Sequence, residues 1–239
     1  MGKRKFYDLC VHAVPDGDNS VEELASLARH FGYSGFALTN HSDKLPQKKP
    51  VLPSPEGFEI IRGIELVEEN PSKLHGLVGK FRKNADVLIV HGGSEKVNRA
   101  AVENSGVDIL NHPSFEKSSG INQVLAKAAA DNEVAIGLNM RPLLHSRGSR
   151  RIRLLTDLRA NLDLARKYDV RLVLSSDAVS CYDLRPPREM LALAELFGLE
   201  ESEAIDALST VPERILARNR PSPGKVREGV EVVEEADFL

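Results

Sequence analysis

The chain has 239 residues, of which 41% are hydrophobic and 28% charged, with a formal net charge of −3. These values suit one soluble globular domain, and the slight acidic excess gives no whole-chain basis for nucleic-acid binding. Two cysteines, Cys10 and Cys181, exclude a disulfide framework, and no apolar run reaches the ~20 residues of a membrane-spanning helix.

In chain order, a short apolar strand is expected at Phe6–Val11. Ser20-Val21-Glu22-Glu23 then forms a capping box ahead of Leu24, Leu27, Ala28 and Phe31, which recur at helical spacing. A second strand, Gly35–Thr39, leads into a Pro-rich stretch at 43–58 that lacks periodicity and reads as a long loop. Further strands are expected at Glu59–Glu65, Val87–Val90, Asp108–Leu110, Val134–Asn139 and Arg171–Ser175. Ser94 caps a helix that stops at Gly106, and helical patterns follow at Ile121–Ala130, Leu154–Tyr168, Pro187–Phe197 and from about Ser202. The domain is expected to span 1–218, with 219–239 as a partly extended acidic tail carrying Glu228, Glu231, Glu234, Glu235 and Asp237. With no signal-peptide pattern at 1–20, the expected setting is reducing and cytoplasmic.

Seven short apolar strands alternating with helices imply an α/β fold with a parallel sheet. No G-x-G-x-x-G or P-loop follows the first strand, so nucleotide readings lose support. The polar residues favour a closed β/α barrel over an open sheet. His12, Asn40-His41, Glu65, His91, Asn111-His112, Asn139 and Ser176-Asp177 each follow a strand, and only in a barrel do all strand ends meet on one face. His12, His41, Glu65, His91, His112 and Asp177 are all metal-ligand types, suited to Zn, Mn or Fe, or to an unmetallated polar pocket. Cys10 shares the face of His12 two residues on. It reads as a small buried hydrophobe, with a soft metal ligand as the alternative. No G-x-S-x-G elbow accompanies Ser175, Ser176 or Ser180.

The strand-end motifs resemble the PHP family of metal-dependent phosphoesterases, which carries D-L-H-x-H, T-D-H, G-x-E, H-P and S-D-A-H segments. Here stand Asp8-Leu9-Cys10-Val11-His12, Thr39-Asn40-His41, Gly63-Ile64-Glu65, His91, His112-Pro113 and Ser176-Asp177-Ala178-Val179. Cys10, Asn40 and Val179 depart from that pattern, so a full trinuclear site is not expected. A second resemblance is more specific. Gly106-Val107-Asp108-Ile109-Leu110, Gly120-Ile121-Asn122-Gln123-Val124-Leu125-Ala126, Ala135 through Leu144, and Ser175 through Glu189 look like the p30-type ribonuclease P subunits of archaea and eukaryotes.

That resemblance implies a TIM-like, PHP-related barrel of about seven strands. It implies a protein subunit of an endoribonuclease that removes the 5′ leader from precursor tRNA. The RNA subunit would perform the Mg-dependent catalysis, and the protein would need no cofactor of its own. The implied partners are ribonuclease P RNA, a small RRM-like protein subunit, the other ribonuclease P proteins and, through the holoenzyme, precursor tRNA, with no membrane. RNA contacts are expected from Arg141, Arg147, Arg150, Arg151 and Arg153 after the sixth strand, and from Arg185 and Arg188 after the seventh. No independent active site is expected. The competing expectation is an autonomous PHP-type phosphoesterase that holds residual Zn or Mn on His12, His41, Glu65, His91, His112 and Asp177.

Overall fold

The computed structural model describes residues 4–45, 56–115 and 118–220, together with the backbone of 225–227 and 230–231. Seven strands run in chain order around one parallel sheet: β1 (Tyr7–Val11), β2 (Gly35–Leu38), β3 (Glu59–Leu66), β4 (Val87–His91), β5 (Ile109–Asn111), β6 (Ala135–Asn139) and β7 (Leu172–Ser175). All seven expected strands are present within a residue of their expected bounds. The surrounding helices are α1 (Val21–His30), α2 (Pro71–Arg82), α3 (Glu95–Val102), α4 (Gln123–Asp131), α5 (Arg141–His145), α6 (Gly148–Tyr168), α7 (Pro187–Glu195), α8 (Glu201–Leu208) and α9 (Thr210–Asn219).

The sheet closes through a polar seam rather than a full ladder. Val11 and Ala178 form a parallel bridge, and the His12 amide donates to the Ala178 carbonyl at 2.8 Å. Deeper in the seam, the buried Asp8 carboxylate accepts from the Ser176 amide at 3.2 Å and from the Cys10 amide at 3.2 Å. A side chain therefore satisfies backbone donors that a paired strand would otherwise take. Burial pushes the Asp8 carboxyl up to about 6.

Alternate strand residues face opposite ways, as the two-residue period demands. Leu9, Ala37, Ile61, Ile89, Ile109, Ala135 and Val173, one from each strand, form a single buried cluster with Ile215 and Leu216. Only the barrel interior can bring all seven strands together, so α9 plugs its lower end. Asp108 fixes that plug. It is fully buried and accepts from Arg82 at 2.6 Å, Arg218 at 2.6 Å, Asn219 at 2.8 Å and the Leu88 amide at 2.7 Å.

No range was expected for α2 or α5, and α3 ends at Val102, short of the expected Gly106; two further elements differ from expectation. α6 begins at Gly148, six residues before the expected Leu154; with Arg147 at the cap, no side-chain cap and no acidic residue in the first turn, no sequence signal marks its start. The helix expected from about Ser202 is two helices, α8 and α9, broken at Ser209. Most of the expected 43–58 loop and of the acidic tail lies outside the described residues, while the chain packs on the barrel through Arg220, which pairs with Glu59.

Candidate functional site

The strand ends converge as the barrel requires. His12 follows β1, His41 follows β2, Glu65 lies in β3, His91 ends β4, His112 follows β5 and Asp177 follows β7. Their rings form a chain. His12 and His41 stack with centroids 4.7 Å apart, His41 and His91 stand at 5.4 Å, and His91 and His112 at 4.6 Å. Glu65 is fully buried and binds His91 Nδ1 at 2.7 Å. Asp177 Oδ1 lies 3.2 Å from His112 Nε2 and 3.7 Å from His12 Nε2. His112 and Asp177 both hold positive φ, at 46° and 60°. That left-handed backbone is costly for residues with a Cβ and recurs at functional sites.

The charges are mutually supporting. Burial opposes the His12 imidazolium, but Asp16, Asp177 and Glu65 outweigh it and push that group up to about 9. Burial likewise opposes charge on Asp177, yet His112 and His12 hold its carboxyl below the usual carboxylate range. Glu65 is also held low against its burial, by His91, His112 and His12. Burial first, then Glu65, Asp177 and Asp8, raise the Cys10 thiol well above the ordinary range.

Two residues here were missed or misplaced by the sequence pattern, and a third, Cys10, lies on the expected face. Asp16 has a side chain only 1% exposed, and its Oδ2 accepts from the His41 amide and from His41 Nδ1, both at 2.7 Å. Its other oxygen pairs with Lys44 at 2.8 Å. Asn40 turns away from the cluster and clamps both the amide and the carbonyl of Ala13, at 2.9 and 2.8 Å. Cys10 is buried at 1% exposure, as a small hydrophobe would be, but its sulfur faces the polar cluster.

The arginines form the rim of the same face. Asp183, 2% exposed, joins the two arginine segments: it binds His145 at 2.6 Å and lies 3.6 Å from Arg141 Nε. Arg147, Arg150, Arg151, Arg153 and Arg188 are exposed, while Arg141 and Arg185 are half-buried. Arg153 stands 3.8 Å from Asp157 and Arg185 3.9 Å from Glu189. Beside them Tyr182 is 87% and Ile152 67% exposed. Sequence reasoning passed over Tyr182. A cavity of about 240 Å³ lies between His112, Asn139, Pro142, Arg150 and Asn161.

Comparison with known proteins places this geometry. A histidinol phosphate phosphatase from Lactococcus lactis shares the fold, with a TM-score of 0.53 over 81% of this chain and 94% of its own, at 15% identity. A chain of an archaeal ribonuclease P, solved by cryo-EM with mature tRNA, matches at a TM-score of 0.77 with 29% identity. That match covers 96% of this chain and all of the other. Ribonuclease P protein component 3 of Methanosarcina mazei is 77% identical over the full length of both chains. The family model for the RNase P subunit p30 matches residues 5–222, from the first strand through the α9 plug. The chain therefore belongs to the ribonuclease P subunit p30 family, with the strand-end cluster and arginine rim described above on its barrel.

Proposed function

We propose that the chain serves ribonuclease P by binding its RNA through the arginine rim, while the RNA subunit carries out the Mg-dependent cleavage of precursor tRNA. The observation that supports this is that Arg147, Arg150, Arg151 and Arg188, which follow the sixth and seventh strands of a p30-family barrel, are all exposed, as is Tyr182 after the seventh. Guanidinium groups match phosphate oxygens, and an exposed tyrosine offers a stacking surface for an unpaired base. Arg141, Arg153 and Arg185 would add weaker contacts because each has an acidic neighbour. The assembly reading includes the small RRM-like subunit, the other ribonuclease P proteins and precursor tRNA bound through the holoenzyme, in the cytoplasm.

The free-standing phosphoesterase reading is weaker. Asn40 is committed to the Ala13 backbone, and Val179 offers no side-chain donor. The cluster of His12, His41, Glu65, His91, His112 and Asp177 is retained as a site for residual Zn or Mn. Reconstitution tests the main reading: ribonuclease P RNA with its partner proteins should cleave precursor tRNA faster at low magnesium when this chain is added. Equal rates with and without it would overturn the proposal.

A further inference from the structure

We infer that Cys10, His12, Glu65 and Asp177 form a tetrahedral cage for one zinc ion, with the Cys10 thiolate as a direct ligand. This rests on reading the strand-end cluster as metal-binding, and it goes beyond that reading by choosing four corners, one of them sulfur, and one metal.

The distances carry it. Cys10 Sγ lies 3.5 Å from His12 Nε2, 3.5 Å from Glu65 Oε2 and 3.6 Å from Asp177 Oδ1. His12 Nε2 lies 3.7 Å from both Glu65 Oε2 and Asp177 Oδ1. Five of the six edges of this four-atom figure are thus nearly equal, and all four ligand atoms lie within 4.8 Å of one another. A regular tetrahedron with edges of ~3.6 Å has its corners ~2.2 Å from the centre, between zinc–nitrogen lengths of ~2.0–2.1 Å and zinc–sulfur lengths of ~2.3 Å.

The donor set selects the metal. One thiolate, one imidazole and two carboxylates suit a borderline-soft tetrahedral ion. Magnesium needs near-octahedral oxygen coordination at ~2.0–2.1 Å, which this group does not offer. The groups behind the cage face the right way. Asn111 Nδ2 donates to Cys10 Sγ at 3.2 Å, a contact that supports negative charge on sulfur. His12 Nδ1, on the side of the ring away from the cage, lies 3.2 Å from Asp16 Oδ2. No aligned hydrogen bond joins them, and that oxygen accepts from the His41 amide and ring. A carboxylate in this position could fix the ring of a metal-bound histidine once the two align. Zinc entry forms the zinc–sulfur bond and releases the thiol proton to solvent; no redox change occurs.

The test uses the full chain, stripped of metal and titrated with Co²⁺ as a spectroscopic probe. One Co²⁺ per chain should bind, with a near-ultraviolet thiolate-to-cobalt charge-transfer band and the strong visible bands of a tetrahedral ion, and Zn²⁺ should abolish both. Cys10→Ala should lose the charge-transfer band and at least tenfold in affinity, while Cys181→Ala keeps both. Cys10→Ser should fold with unchanged circular dichroism and still lose the band. A weak octahedral spectrum, or a charge-transfer band that survives in Cys10→Ser, would overturn the cage but leave metal binding at the other residues standing. No Co²⁺ bound by the folded wild-type chain would overturn both.

Discussion

The arginine rim yields a quantitative expectation. Arg147, Arg150 and Arg188 are exposed and form no ion pair among the described residues, whereas Arg153 and Arg185 each have a carboxylate within 4 Å. Replacing the three with Ala should remove three phosphate contacts. Each contact contributes ~0.7–0.9 to the slope of log affinity against log salt, so the slope should fall by about 2–3. Raising monovalent salt from ~50 to ~200 mM should then cost the wild type about 20–40-fold more affinity than the triple variant. Fluorescence anisotropy with labelled ribonuclease P RNA, at fixed magnesium and with the partner subunit present, measures both slopes. Arg214→Ala, at an exposed position beside α8 and the α6 C-terminus, serves as the control and should leave the slope unchanged. Equal slopes for wild type and triple variant would refute phosphate contact by this face, whatever happened to affinity at one salt concentration.

Further expectations concern the frame that holds this face. Asp108→Ala strands Arg82 and Arg218 without their buried partner. Breaking a buried pair costs ~3–5 kcal/mol, or about 6–20 °C in thermal midpoint for a chain of this size; a loss under about 3 °C would deny Asp108 its place as the barrel's lower anchor. Gly137→Ala would put a Cβ 1.9 Å from Asn111 Oδ1, and overpacking of this kind costs ~1–3 kcal/mol. An unchanged melting curve would show that Asn111 moves freely. The metal-free protein should lose stability as pH rises from about 6.5 through about 9, because the folded state holds the His12 proton more tightly than the unfolded chain does. Asp8, raised to about 6, ionises mostly below that window and shifts stability in the same direction. Calorimetry should show the decline, and His12→Gln should flatten it; a midpoint that climbs over the same range would contradict the reasoning.

The strands were readable because buried parallel strands are short apolar runs, and each ended on a polar residue that only a barrel gathers. The six ligand-type residues were readable for the same reason. Direction within the site was not. Asn40 and Cys10 both looked like degraded ligands, yet one side chain turns back to the Ala13 backbone while the other faces the cluster. Sequence spacing placed Cys10 on the face of His12 but could not give its distances to Glu65 and Asp177, which are 55 and 167 residues away in the chain. Asp16 was invisible because it lies in the loop after β1, with no periodic position to mark it. The joining role of Asp183 depends equally on contacts between distant segments.

The start of α6 was missed for a reason that bears on function. A helix N-terminus carries a partial positive charge and favours acidic or capping residues. Here Arg147 sits at the cap position and Arg150, Arg151 and Arg153 follow within two turns, with no acidic residue in the first turn. The arrangement works against the free helix and suits a helix whose positive end meets phosphate. Arg147→Ser separates these two demands. A serine cap should add ~1 kcal/mol, raising the thermal midpoint of the free protein by about 2–4 °C. The same change removes one cation from the rim and should lower the salt slope of RNA binding by about 1. Stability and binding should therefore move in opposite directions. A variant that is both more stable and equally salt-dependent would show that Arg147 serves neither the RNA nor the helix.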